Sequence, residues 1–295
     1  MPSTRPHRLR RPAAALALAG LAAHACAQGT PDEPSPSPNG KQTSALWEAG
    51  LFGVTSYAGA YPGSNQSIPT YLALPYALYR GPVFRVADGG VGVRAYKTPR
   101  VEWVVSATGA FGGAANQVQA RSGMPSIGFL VEFGPALKIN LGDLLDASRD
   151  PRKTRLDLPV RGVFDVSHEF SHEGWSFEPR LSHALWNDDT FSLGATASLL
   201  VGDRALNHLF YGVDPVYATP DRPAYVARAG LIATRFGLNL TQRVSDNVRL
   251  HWFATMESVR GAANVASPLV RAHEDGGFGV SLTWSLWRSD QPGVE

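Results

Sequence analysis

Apolar and polar residues alternate one by one along most of this chain. Val101, Trp103, Val105 and Ala107 interleave with Glu102, Ser106 and Thr108, and Val104 alone breaks the order. Leu156, Leu158 and Val160 interleave with Arg155, Asp157 and Arg161. Phe191, Leu193, Ala195, Ala197, Leu199 and Val201 do so with Ser192, Gly194, Thr196 and Ser198. Phe236, Leu238 and Leu240 alternate with Gly237, Asn239, Thr241 and Arg243, and Val248, Leu250, Trp252, Ala254 and Met256 with Arg249, His251 and Thr255. The longest case comes last: Phe278, Val280, Leu282, Trp284 and Leu286 share one parity, and Gly279, Ser281, Thr283 and Ser285 the other. A side-chain period of two belongs to a β-strand with one greasy and one small, polar face.

The alternation predicts strands at 46–60, 68–80, 82–96, 100–112, 125–140, 152–167, 172–186, 190–202, 223–235, 236–246, 248–260 and 276–287. Twelve is an even number, as bacterial single-chain membrane barrels use. With this count the long 203–222 connection falls at the end where turns should be short. Splitting 82–96 at Asp88-Gly89-Gly90 would repair that, but leaves strands too short to cross a bilayer, so 82–96 is expected to be one strand.

The greasy parity could face a soluble core or surrounding lipid. Charged residues sit in mid-strand on the polar parity, where a wet or ion-paired lumen accepts them. Tyr76, Tyr79, Trp103, Trp175, Trp186, Trp252, Trp284 and Trp287 gather near segment ends, where a barrel carries its interfacial girdles. No run after residue 27 is long and greasy enough for a membrane-spanning helix. The fold class expected is therefore all-β, a transmembrane antiparallel barrel of about twelve strands in the outer membrane. A large exported soluble β-protein is the alternative.

The N-terminus supports export. Arg5, Arg8, Arg10 and Arg11 precede an apolar run from Ala13 to Ala23, and Ala25-Cys26-Ala27 places small residues for cleavage before Gln28. That is the pattern of a signal peptide over 1–27; a lipoprotein with Cys26 acylated is the competing reading. Residues 28–45 are rich in Pro, Ser, Gly and Asn and read as a flexible periplasmic leader. One barrel domain over 46–287 and a short tail over 288–295 complete the expected organisation. The first 27 residues hold 4 of the 27 basic residues and no acidic ones, so the remainder balances 23 against 25, or −2. Nothing in that balance suggests nucleic acid.

Several local patterns, in order, resemble the MipA/OmpV family of outer-membrane proteins. Tyr61-Pro62-Gly63-Ser64 resembles its turn after the first strand, and Tyr79-Arg80-Gly81, after Leu74-Pro75-Tyr76, its "LP…YRG" element. Gly174-Trp175 with Pro179 is similar to a mid-chain element, Tyr211-Gly212-Val213 to "YFGV", and Ser267-Pro268 to the approach to the last strand. Gly279, Leu282 and Trp284 fit the spacing of a C-terminal assembly signal, although the chain runs on to Glu295. The resemblance implies contact with outer-membrane lipid. It also implies a non-enzymatic scaffold linking a murein lytic transglycosylase to a bifunctional murein synthase, with no catalytic residue and no cofactor to carry over. A small-solute channel is the alternative function, and a lipid hydrolase a third.

Two patterns invite chemistry. His168-Glu169-Phe170-Ser171-His172 spells the helical zinc-protease signature, but it follows an alternating run and precedes Gly174, so a polar turn is expected. His168, Ser171 and Glu173 could form a Ser–His–acid group. Arg155, Asp157, Arg161 and Asp165 are expected to pair across the lumen, and the aromatics of 203–222 to fold into it as a plug.

Overall fold

The computed structural model describes residues 45–81, 84–87, 90–111, 118–142, 153–167 and 170–293. Its strands are β1 Trp47–Gly59, β2 Ser67–Arg80, β3 Phe84–Ala87, β4 Gly90–Lys97, β5 Val101–Phe111, β6 Phe129–Asn140 and β7 Thr154–Asp165. They continue as β8 Ser171–Phe177, β9 Arg180–Asn187, β10 Phe191–Gly202, β11 Gly230–Arg243, β12 Val248–Ser258 and β13 Glu274–Arg288. One α-helix, α1 Arg204–Tyr211, lies between β10 and β11.

Apart from β8 and β9, each strand pairs antiparallel with its neighbours in sequence, and β13 returns to β1, with Gly53 opposite Leu282 and Tyr57 opposite Phe278. The ring is closed. β8 and β9 both pair with β7 and with β10, so they are the two halves of one crossing. Among the described residues, thirteen segments less one give twelve strands around the ring. The break between the halves, Glu178-Pro179, lies where ladder pairing also skips Gly134 and Pro135 of β6, opposite β7. Proline has no N–H to give to a ladder, so this sector of the wall bends rather than running straight.

Two expected boundaries need correction. The 82–96 strand is a hairpin, β3 and β4, and Gly230–Arg243 is one strand where 223–235 and 236–246 were expected. The changes cancel in the count and restore the loop parity. The long connections 112–128, 203–229 and 259–273 now share one end with the 60–66 turn, while 98–100, 188–190 and 244–247 are short turns at the other. The barrel accommodates a short hairpin because β4 is carried by its register with β5, from Val91–Ala107 to Lys97–Glu102.

The greasy parity faces outward. Leu51, Tyr57, Trp103, Trp175, Leu199, Phe236, Leu238, Trp252, Met256, Phe278 and Trp284 are all exposed on the outer wall. Leu282 is 41% exposed, while Ser281 beside it is 7% exposed and faces the interior. The rings of Trp47, Tyr79, Tyr96, Trp103, Trp186 and Trp287 stand near the short-turn end, and Tyr57, Tyr71, Trp175 and Phe278 near the long-loop end. These are the two interfacial girdles. Among the described residues no helix is long and apolar enough to cross a membrane; the crossing is made by strands.

Leu282→Arg is expected to place a charge near the bilayer midplane and to destabilise the assembled barrel by roughly 2–4 kcal/mol. Ser245→Arg, in the exposed turn 244–247, should be nearly neutral. Refolding of both variants into vesicles of differing thickness checks this. A Leu282→Arg penalty that ignores the bilayer would contradict the assignment of this face to lipid.

Candidate functional site

Interior-facing residues alternate with exterior ones along every strand, so the chemistry of the lumen is that of the inward parity. Charges of both signs meet there. Arg235 on β11 reaches Glu257 on β12, with Nε 2.6 Å from Oε2, and Glu178 at the β8–β9 break, with Nη1 3.4 Å from Oε1. Arg180 reaches the same Glu178 oxygen at 3.2 Å, and Ser198 Oγ donates to it at 2.9 Å. Arg161 on β7 lies 3.6 Å from Glu132 on β6 and donates to Thr108 on β5. Three carboxylates and three guanidiniums thus tie seven neighbouring crossings, β5 to β12. The β8–β9 break has a use: it turns Glu178 into this network.

The expected lumenal quartet behaves differently. Arg155 pairs with Asp157, two residues along its own strand, at 2.9 Å. Asp165 accepts from the backbone N–H groups of Gly128 and Ser167 and closes a turn. Arg161 bonds across the wall as expected, to Glu132 and Thr108. Alternation assigns these side chains to a face but says nothing of which strand brings the partner, and Glu132, Glu178 and Arg235 were not singled out. A charge breaking an apolar run at a proline, as Glu178-Pro179 does, is the signal that could have found the central acid.

Near the short-turn end Glu48 on β1 holds Arg80 at 3.4 Å and Arg249 at 3.6 Å, and Arg80 Nη1 donates to Ala45 O. Tyr76 and Ser285 share a hydrogen bond of 2.7 Å above them. Tyr79 points out into the girdle, and Gly81 is buried at the strand end.

The other motif positions converge at the opposite end, where the long connections fold into a lid. Tyr61 is buried and its hydroxyl donates to Leu269 O at 2.7 Å. Pro62 lies in the same turn; Gly63 sits at φ +88° and its carbonyl accepts from Arg271 N and Ala272 N. Glycine reaches that left-handed backbone region without a Cβ clash. Ser64 caps the turn through Gln66. Ser267 Oγ, beside Pro268, donates to Tyr211 O, and Tyr211 donates to Ile232 O. Gly212 ends α1, and Val213 pairs with Tyr225.

Helix α1 was expected to be loop. Asp203 starts it by accepting from Leu206 N, and Leu206, Asn207 and Tyr211 bury one face. An Asp before Arg-Ala-Leu is an N-cap signal, but eight residues are too few for periodicity to declare a helix. Around it pack Val118, Met124, Ile127, Ile232, Val259 and Leu269. Arg121 donates to Leu209 O, Phe210 O and Pro125 O and lies over the Tyr61 ring; Arg222 ties Ala120 O, Ser122 O and Tyr217 O. Buried guanidiniums bonded to loop carbonyls tie the 118–128 and 203–229 segments together, and the Tyr61 and Ser267 bonds add the 60–66 and 259–273 segments to the same body. The aromatics of 203–222 therefore pack into the lid at the long-loop end, Tyr211 fully buried.

Beside α1 an open cleft of about 800 Å³ is lined by Arg121, His172, Glu173, Asp203, Arg204 and His208, among others. Its acids are engaged: Asp203 caps the helix, Asp214 lies 3.2 Å from His208, and Glu173 accepts from Ser171 Oγ. His168 and Glu169 lie outside the described residues. Ser171 and His172 are in a strand, where no i, i+4 helical face exists, and Ser171 bonds the acid rather than a base. No cluster fit for a metal ion occurs among the described residues.

Burial pushes the Tyr61 phenol up to about 12, against the pull of Arg121 and Arg271. The lid thus gains stability that is complete below about pH 10 and is lost as pH rises through about 12. Limited proteolysis of the lid should rise over that window, and Tyr61→Phe should flatten the rise while costing about 1–3 kcal/mol through the unpaired Leu269 carbonyl. In the lumen, Arg235→Met should destabilise the barrel by about 3–5 kcal/mol, with Arg235→Met/Glu257→Leu recovering part of the loss. Urea unfolding in detergent micelles, followed by the heat-modifiable band, measures both.

Several outer-membrane proteins of solved structure are similar to the chain at a low level. The NanC porin is 8% identical, with a TM-score of 0.40 over 80% of this chain and 100% of its own. The CymD monoaromatic hydrocarbon channel is 9% identical, with a TM-score of 0.38 over 85% and 91%. The toluene transporter TodX of Pseudomonas putida is 8% identical, with a TM-score of 0.32 over 81% and 88%. No curated protein matches the chain. The family model described as MltA-interacting protein MipA matches residues 51–286, from β1 to β13 and through every lid segment. The chain belongs to the MipA family of outer-membrane β-barrels.

Proposed function

We propose that this barrel is a closed, non-enzymatic platform in the outer membrane, exported by its first 27 residues, that holds a murein lytic transglycosylase at its periplasmic end. The reading is supported by the ion-paired inner wall and by the buried core of the lid. Ion pairs tie the inner wall from β5 to β12, and a buried lid covers the long-loop end. A platform needs a rigid wall and an accessible end, and no continuous wet path.

The family's description names interaction with the transglycosylase MltA. The short-turn end is the side such a partner would meet, because outer-membrane barrels keep short turns in the periplasm. That end is acidic at two turns. Asp188 accepts from Phe191 N, Thr190 N and the Trp186 indole, which hold its carboxyl below the usual range. Asp189 and Asp246 stand exposed beside and across from it. A bifunctional murein synthase would join the assembly through the transglycosylase.

In planar bilayers the refolded barrel is expected to show no steady conductance, and immobilised barrel to retain a purified murein lytic transglycosylase. Asp189→Lys/Asp246→Lys should weaken that retention several-fold with the heat-modifiable band unchanged. Steady conductance without retention would replace the platform by a solute channel.

A further inference from the structure

The open cleft of about 800 Å³ along α1 has β8 on one side and the 121–125 and 212–217 segments on the other. Backbone contacts set its shape. Asp203 N donates to Trp175 O, and Gly174 of β8 sits at φ +127°. A Cβ on Gly174 would collide with Asp203 Oδ1 and Leu206 N, so glycine lets the first turn of α1 rest directly on the barrel rim. Across the cleft, Arg121 fastens its own segment to Leu209 O and Phe210 O. Both walls are thus held in place by the protein itself.

The lining offers three kinds of surface. Met124, Pro125, Ala205 and Leu209 supply apolar area, and Tyr217 adds a half-buried ring. Arg204 and His172 are exposed and bring N–H donors. Glu173, Asp203 and Asp214 bring acceptors. Ser171 Oγ donates to Glu173 Oε1, Leu206 N donates to Asp203 Oδ1, and Asp214 Oδ1 lies 3.2 Å from His208 Nε2. These bonds orient the carboxylates, and each carboxylate has a second oxygen to offer.

That mixture selects a ligand class. A hydrocarbon would bury the polar rim without partners. An anion would meet three carboxylates against the exposed Arg204, because the Arg121 guanidinium is already given to loop carbonyls. No cluster fit for a metal ion occurs among the described residues. A neutral sugar suits every part of the lining. Its hydroxyls donate to carboxylates and accept from Arg204 and His172, while its C–H faces cover apolar side chains. Binding pockets commonly combine apolar lining with a few placed polar groups in this way.

His172 also joins the cleft to the outer girdle. Its ring lies 5.8 Å from that of Trp175, which is exposed on the outer wall. One wall of the cleft therefore stands at the level of lipid headgroups, at the end that outer-membrane barrels turn to the exterior. We propose that the cleft beside α1 binds a neutral sugar unit presented from outside the cell, as the headgroup of an outer-leaflet glycolipid or as a free oligosaccharide. The site lies at the opposite end from the periplasmic platform and is independent of it.

The test uses the full-length barrel in two arms. In one, fluorescently labelled barrel in micelles of an oxyethylene detergent is laid on an array of short neutral oligosaccharides. In the other, the same sugars carried on diacylglycerol are mixed into phospholipid vesicles that hold the barrel, and retention is read by native mass spectrometry. Neutral sugars are expected to be retained: in vesicles alone if the ligand is a headgroup, in both arms if it is a soluble sugar. Arg204→Ala should cut retention several-fold with the heat-modifiable band unchanged. Ala205→Trp, which fills the cleft from an exposed position of α1, should do the same. Retention that ignores both variants would overturn the site, as would no retention in either arm. Retention of acidic sugars alone, or capture of an oligolysine peptide in place of any sugar, would overturn the ligand class.

Discussion

The constraint on which this molecule rests is the absence of water in the bilayer core. Each backbone N–H and C=O there must find its partner in the protein, so the sheet must close on itself. The closure is the β13–β1 seam, paired from Glu48–Arg288 to Tyr57–Phe278 with one bulge between Ala49 and Gly50. Beyond it Ser289 N donates to Trp47 O and Leu46 N to Gln291 O, so the two chain ends lock the seam at its base. Once the ring is closed, lipid takes the greasy parity and the polar parity is trapped inside.

A trapped polar face creates its own requirement. Glu132, Glu178 and Glu257 would each be costly in a narrow lumen, and each stands within bonding distance of a guanidinium. Breaking one pair strands its partner, which is why such networks hold a wall together more through the cost of loss than through net attraction. The ladder defects fall in the same sector: the β8–β9 break that delivers Glu178 is also where the wall bends. On the opposite side Phe52 and Val54 of β1, Leu72 of β2 and Phe253 of β12 form a small apolar cluster, with the Glu48–Arg80–Arg249 group on the same strands.

The lid follows a third logic. Loops lack a ladder, so their backbone carbonyls need other donors. Arg121 and Arg222 supply several each, Asn264 bridges Asn207 and Arg228, and Tyr61 and Ser267 fasten the early and late segments. Residues separated by up to about two hundred positions thus become one small core. The MipA-type motif positions Tyr61, Gly63, Tyr211 and Ser267 belong to this core, which gives them a structural reason for being where they are.

Strand identity, the facing of nearly every wall residue and the barrel class were legible in the sequence, because a period of two reports a face directly. Leu282 outward and Ser281 inward needed nothing more. The hairpin at 84–97, the single strand 230–243 and helix α1 were not legible, since each depends on which neighbour supplies backbone partners rather than on local period. The pairing of Arg161 with Glu132 rather than Asp157, and the gathering of Glu178, Arg180, Arg235 and Glu257, required register across strands. The chain's alternation determined what faces lipid and what faces inward; only the closed ring decided which charges meet and how four distant loops pack together at one end.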